Sequence, residues 1–578
     1  MKTSPLLVAC ACSSIILGAC SASSTGNGSS SSSTSSSSSG GRATAPVAIQ
    51  LLAFNDLHGH LQPPAGNSGR LVVSPLLTIN AGGAAHLAAH INARRTLNPH
   101  TMVVSSGDLI GASPLVSGMF HDEPTVEAMN LLGLDLNGVG NHEFDKGADE
   151  LLRMQNGGCH PTAGCRAGHM FTGAEFQFLA ANVRTDNGNG PPLLPAYAIR
   201  EFEGIPVGFI GMTLEGTPAI VNPQGVMGLR FLDEADTANA VAAELQGLGV
   251  EAIVVLLHEG GYTTGTYDGC EGVSGAVVDI AARMDDAVDI ILSGHTHRAY
   301  NCELSGKLVT SAASFGRLVT RVDVVLDHVT GNVLTRTAEN EPVVRDDTDA
   351  AMAAFVDGYA QLAAGFGDVI VGSITQDITR AASQTSGISP LGALVADAHL
   401  WATSGPESGN AQIAFTNPGG VRADLAFSAA GPETSNGQVR YGEAFEVQPF
   451  MNELVTVDLT GAQLRAVLES QIESVTPQGI QATILQISEG FTYVIRISQP
   501  QGSRVPMAEM RLNGQPMAAN TVYRVTTNSY LAGGGDGFGG FAMGTNATTG
   551  IGDAEALVQY FQAFSPVSPP ATERLTIQ

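Results

Sequence analysis

Five apolar runs, each followed at once by residues able to ligate a metal, constrain this chain more than any other feature. The runs cover residues 47–54, 101–105, 134–139, 252–257 and 287–292 and read as strands. Helix-like stretches lie between them at 83–95 and 234–248, and another follows Asp122-Glu123-Pro124 and closes before Gly133, with proline and glycine where helix ends favour them. Alternating strands and helices imply an α/β layer fold with parallel strands. After the runs come Asn55-Asp56-Leu57-His58-Gly59-His60, Gly107-Asp108, Gly140-Asn141-His142-Glu143-Phe144-Asp145, His258-Glu259-Gly260-Gly261 and Gly294-His295-Thr296-His297. Ligands of open α/β sheets bind beyond the carboxyl ends of the strands. One Asp or His there is an ordinary turn residue, but five in phase point to a shared metal site. The Asp, His and Asn donors suit Zn, Mn or a similar divalent ion. Six or seven ligands exceed one tetrahedral ion and suit two ions about 3.5–4 Å apart sharing a carboxylate.

Composition narrows the partners. The 578 residues leave room for two to four domains. Charged residues are 14% of the chain, against about 25% in an average soluble protein. A formal charge of −27 without a basic stripe argues against nucleic acid held through its phosphates. An anionic small substrate then needs a local attractor such as a metal.

The amino terminus reads as processing signal. Lys2 precedes an apolar stretch at 6–19, too short to span a membrane. It ends Leu17-Gly18-Ala19-Cys20, which resembles a bacterial lipobox with Cys20 as the lipidated residue. Residues 1–20 are thus expected to be a lipoprotein signal peptide. Residues 21–44, rich in Ser, Gly and Thr, would form a flexible tether. The protein is expected to be exported and lipid-anchored, at the outer membrane or in the periplasm of a two-membrane cell. Of 7 cysteines, Cys10 and Cys12 leave with the signal and Cys20 carries lipid. Four remain, which suggests two disulfides in an exported protein. Cys159 and Cys165 flank a short loop, leaving Cys270 to pair with Cys302; the spacing fits no CxxC zinc pattern.

The order DxH, GD, GNHE, H and GHxH resembles the calcineurin-like metallophosphoesterases. The stretches Asn55–His60 and Asn141–Asp145 resemble the bacterial 5′-nucleotidase branch, as do Asn417-Pro418-Gly419-Gly420-Val421-Arg422 and Tyr530-Leu531-Ala532-Gly533-Gly534-Gly535-Asp536-Gly537-Phe538 further on. The resemblance implies an N-terminal four-layer α/β/β/α domain at 45–344, a linker helix at 345–367 and a C-terminal mixed α/β substrate-binding domain at 368–578. It implies one metal held by Asp56, His58, Asp108 and His297, and a second held by Asp108, Asn141, His258 and His295. His142 matches the catalytic histidine and Asp145 its partner; a protonated imidazole near the leaving oxygen stabilises developing charge there. The lesser alternative for Asp145 is a carboxylate at a helix start.

In the second domain the residues read as strands at 369–374, 412–415, 454–459 and 523–527 with a helix at 391–401. By resemblance, Phe450 and Tyr530 sandwich a nucleobase, which stacking permits whatever the base. Asp536 would meet the ribose diol, Asn417 and Arg422 the phosphate side, and Asn452 the base. Read alone, Phe450 is also a plausible core aromatic, and Gly533–Gly537 a tight turn. Relatives carry further arginines just before the helix at 391, whereas 381–389 contains none and Arg380 stands at its edge; a missing guanidinium removes a bidentate phosphate clamp. The family reading implies hydrolysis of nucleoside 5′-monophosphates by in-line attack of a hydroxide held between the metals. Nucleotide diphosphate or UDP-sugar hydrolysis, 2′,3′-cyclic nucleotide hydrolysis and thiosulfohydrolysis are its alternatives. A surface binding lipoprotein on an inactive scaffold is the alternative outside enzymes, and a complete ligand set argues against it. Base preference, metal identity and oligomeric state are not legible in the residues.

Overall fold

Residues of the strand Val47–Phe54 alternate between two buried environments, so neither face needs polar side chains, as expected where layers cover both sides of a sheet. The computed structural model describes residues 45–428, 435–476 and 479–578. The leader, the tether and Cys20 lie outside the described residues.

Leu51 and Ala53 point into a core shared with a second sheet, through Val207, Phe209, Val254 and Leu256. Leu52 and Phe54 point the other way, onto Leu87, Ile91, Val126 and Met129 of the helices Ala84–Arg95 and Glu123–Leu132. The first sheet runs Val333–Pro342, Leu318–Leu326, Val47–Phe54, Thr101–Ser105, Leu136–Gly138, Gln177–Leu179, with the last four parallel. The second runs Ala299–Leu304, Lys307–Ala312, Ile290–Ser293, Ala252–His258, Ile205–Thr213, Tyr197–Phe202, parallel across its middle four. Its outer face packs on the helices Glu234–Gly247 and Ala276–Arg283 through Leu245, Val277 and Ile280. The architecture is therefore the expected α/β/β/α stack. The ligand-bearing edge belongs to two sheets, three strands contributing from one and two from the other. The sheets touch backbone to side chain at glycines: a Cβ on Gly138 would lie 2.7 Å from Leu256 Cβ, and one on Gly211 2.3 Å from the Leu179 carbonyl oxygen.

The helix Ala350–Gly367 begins at an Asp349 cap whose carboxylate accepts the Met352 amide, and its Met352, Val356 and Tyr359 complete the core under the first sheet. Beyond it, a five-stranded sheet orders Gln486–Ile487, Ile413–Thr416, Val522–Asn528, Glu453–Thr460, Thr545–Gly552. Ile413–Thr416 is parallel to Val522–Asn528, and Glu453–Thr460 is antiparallel to it, pairing Leu454 with Asn528. The carboxyl ends of the first two and the amino end of the third therefore share one edge, which gathers Asn417, Asn528, Tyr530, Phe450 and Asn452. The helix Pro390–Thr403 starts one residue before the expected 391, because Ser389 caps it by accepting the Gly392 amide at 2.9 Å. Cys159 is bonded to Cys165 and Cys270 to Cys302. No helix among the described residues is long and apolar enough to cross a membrane.

Candidate dimetal centre and interdomain cleft

Five of the seven expected metal ligands stand in the left-handed backbone region: Asp56 (φ 51°), His58 (47°), Asp108 (51°), His295 (71°) and His297 (55°). Non-glycine residues rarely occupy it, and such strain collects at functional sites when the surroundings fix it. The surroundings here do. Asn55 donates to the Asp56 carboxylate and the Ala313 carbonyl while accepting the Ala312 amide. Buried Glu143 accepts the amides of Asp108, Leu109 and Gly140 at 3.0, 2.8 and 2.8 Å, lacing two ligand loops together. Burial, and then the neighbouring Asp108, push the Glu143 pKa up to about 7. The sequence reading assigned no role to Asn55 or Glu143, although both sit inside its motifs; their bracing depends on amides from other loops.

The hydrogen bonds of the histidines decide what the cluster can hold. His58 Nδ1 lies 2.9 Å from the Gly111 carbonyl and His258 Nδ1 2.7 Å from that of Ser106. Carbonyls only accept, so both Nδ1 atoms carry the proton and both Nε2 atoms present a lone pair. Those lone pairs face other acceptors: His258 Nε2 is 3.0 Å from Asp108 Oδ2, and His58 Nε2 is 3.7 Å from the same oxygen and 3.0 Å from His297 Nε2. His297 Nε2 in turn lies 3.3 Å from Asp56 Oδ1. Lone pairs converging on carboxylate oxygens in a buried pocket are satisfied by positive charge placed between them, a metal ion or a proton. In the absence of a cation the pocket favours protons: burial opposes charge on His258, but Asp108 and Asp56 outweigh it and push its pKa up to about 10.

The groups Asp56, His58, His297 and Asp108, His258, His295 each bring their ligand atoms within 4.8 Å of one another. Asn141 Oδ1 joins the second, 3.0 Å from His295 Nδ1. Asp108 stands between the groups, its Oδ1 held by the His142 amide at 2.9 Å and its Oδ2 facing His58 and His258. The fit is to a pair of divalent ions with oxygen and imidazole ligands.

His142 rises beside this cluster, its Nδ1 2.7 Å from Asp145 Oδ2. Burial works against its charge, yet Asp145 and Asp108 prevail and raise its pKa. Asp145 therefore orients the imidazole and is not merely a helix-start carboxylate. A cavity of about 190 Å³ continues from His142 into the second domain, between Asn141, His295 and Ile220 on one wall and Asn417, Arg422, Phe450, Asn452, Tyr530 and Asp536 on the other. Phe450 is half-buried in that wall and not in the core. Its ring lies 5.8 Å from that of His142 at 19°, with the Arg422 guanidinium 5.8 Å from its centroid. Tyr530 donates its hydroxyl to Asp536 at 2.6 Å and Asn417 donates to the other oxygen at 2.9 Å, while Asn528, unassigned in the sequence reading, donates to Asn417 at 3.1 Å. Asn452 accepts from Ser529 and donates to Asp553. Arg380 is turned away: it binds the Asp424 carboxylate at 3.2 Å and donates to the Arg422 carbonyl, bracing the Arg422 loop from outside the cavity.

The calcineurin-like phosphoesterase family model matches residues 49–299, and the 5′-nucleotidase C-terminal domain model matches 370–543. The chain belongs to the two-domain 5′-nucleotidase family. A 5′-nucleotidase of Vibrio cholerae is 26% identical over 91% of this chain and 94% of its own. The crystal structure of a 5′-nucleotidase precursor from Thermus thermophilus superposes with a TM-score of 0.70 at 26% identity, covering 92% of this chain and 99% of that one. The endonuclease YhcR of Bacillus subtilis is 32% identical over 90% of this chain, which spans 40% of that protein's length. Calcineurin-like phosphoesterases use a dimetal centre, in keeping with the acceptor-lined pocket of this 5′-nucleotidase family member.

Proposed function

We propose that this protein removes the 5′-phosphate of nucleotides, giving nucleoside and phosphate. One observation carries the reading: a single cavity joins Asn141 and His295 of the ligand cluster, with His142 beside them, to a wall bearing two aromatic rings and a carboxylate. Asp56, His58, Asp108 and His297 would hold one ion, and Asp108, Asn141, His258 and His295 the other. When bound, divalent ions such as Zn or Mn lower the pKa of an attacking water and neutralise phosphate oxygens. The chain's own groups complete the site. His142, whose pKa Asp145 raises against burial, would stand beside the departing ribose oxygen and stabilise or protonate it. Arg422 offers a fork of donors to the phosphate, and Asn417 lies beside it. Phe450 and Tyr530 present faces for the base. Asp536 has lone pairs left for a ribose diol after accepting from Tyr530 and Asn417, and Asn452 keeps one donor and one lone pair for the base edge.

The two rings supply the test. Each stacking partner is worth about 1–3 kcal/mol in base binding, or about 5- to 150-fold in kcat/KM. Tyr530→Ala is expected to reduce hydrolysis of AMP by that factor and of p-nitrophenyl phosphate, which has no base, by less. Unchanged AMP hydrolysis would remove the base sandwich from the account.

We further propose export and lipid anchoring, supported by the lipobox-like Leu17–Cys20 and the polar stretch at 21–44. Cys20→Ser should then move the protein from the membrane fraction to the soluble exported fraction; a variant that stays on washed membranes refutes the anchor.

A further inference from the structure

Beyond residue 44 the chain contains two lysines, Lys146 and Lys307. Lys307 is buried in a strand. Lys146 is exposed at the rim of the cavity, directly after Asp145. Its ammonium donates to the backbone carbonyl of Phe450, 304 positions away in the second domain. Among the described residues lining the cavity, it and Arg422 are the two aliphatic-stemmed cations, one from each domain.

The carbonyl it holds belongs to an unusual stretch of backbone. Met451, the next residue, lies at φ 58°, a left-handed conformation that a methionine side chain disfavours. Such a conformation persists when contacts outside the loop over-determine it, and the Lys146 bond is one. The same short loop carries the Phe450 ring, parallel to His142 at 5.8 Å, and the Asn452 amide, bonded to Asp553. One turn of the first domain thus bears His142 and Asp145, which address the phosphate end. From its next residue it reaches over to fix the loop that addresses the base end.

We infer that Lys146 is a positioning residue, clamping the loop at 449–452 onto the His142–Asp145 turn so that base and leaving group are set in one geometry. The inference deepens the nucleotidase reading and rests on it for the identity of the base. A lysine suits the task, because one carbonyl needs a single donor and the compact ammonium can turn to meet it; arginine keeps the charge and the donors and should substitute in part.

Two measurements test the clamp. The first needs no substrate: hydrogen–deuterium exchange of the segment around 449–453. Lys146→Ala and Lys146→Met should each speed it about threefold or more, and Lys146→Arg should return it towards the native rate. Unaltered exchange in the Ala and Met variants overturns the inference. The second is kinetic. In Lys146→Ala the ratio of kcat/KM for AMP to that for p-nitrophenyl phosphate should fall about five- to tenfold, mainly through KM, the low end for a charged hydrogen bond because the ammonium is exposed. Equal losses with both substrates would make Lys146 a simple phosphate attractor and overturn the clamp. If the native protein leaves AMP intact, the nucleotidase reading fails, while the exchange measurement still decides whether Lys146 holds the loop.

Discussion

Replacing His142 with alanine is expected to lower kcat about 10²- to 10⁴-fold, for AMP and for p-nitrophenyl phosphate alike. In the proposed reaction the group removed acts at the departing oxygen, which both substrates possess, so the loss should not depend on a base. The change leaves the ligand loops intact, because the His142 contact to Asp108 is made by its backbone amide at 2.9 Å, which alanine retains. Metal content should therefore stay native while turnover collapses. The pH dependence follows from the direction of the His142 shift. Asp145 and Asp108 hold its pKa above the ordinary imidazole value against burial. Activity that needs the charged ring is therefore complete below that raised pKa and lost as pH rises through it. Asp145→Asn removes an upward push, so the alkaline limb of the kcat profile should move to lower pH. A limb that stays in place would dissociate Asp145 from the charge on His142.

Asp108→Asn is the second large effect. One carboxylate stands between the two ligand groups, with Oδ2 3.0 Å from His258 Nε2 and 3.7 Å from His58 Nε2. The amide keeps the volume but loses the negative charge that both ions would share. Even outer-shell changes at metal sites weaken binding about 10- to 100-fold, so each ion should bind at least about 10²-fold more weakly. Hydrolysis should fall about 10³-fold or more, above the roughly 10²–10³ typical of losing a single charge-stabilising group. Elemental analysis showing native metal content in this variant would contradict the shared carboxylate.

How much of this was legible in the residues depended on how local the cause was. Strands at 47–54, 101–105 and 252–257 stood out because helices and a second sheet cover both faces, leaving continuous apolar runs. Ile205–Thr213 has the same burial but went unread, since Leu214 and Glu215 follow it and no ligand marks its end. Val333–Pro342 is an edge strand of polar residues, with little apolar signal to find. The division of five strands between two sheets was hidden as well, because it is set by close approaches such as Gly138 on Leu256 between segments over a hundred residues apart. The candidate ligands were legible because each stands at or just past the end of its strand. Glu143 and Lys146 were not given roles: the first acts on amides of other loops and the second on a carbonyl of the other domain, contacts that exist only once the chain is folded. Arg380 was placed correctly at the edge by its position, and its pairing with Asp424 supplies the physical reason it does not enter the cavity.

The most direct test of the central claim is phosphate release from AMP by the purified protein, measured on one preparation as isolated, after exhaustive chelation, and after return of Zn or Mn, with metal content determined at each stage. The account predicts close to two divalent ions per chain in the active protein, loss of release on their removal, and recovery as the second equivalent is restored. Full activity in metal-free protein, or a fully loaded protein that leaves AMP intact with either metal, would contradict it.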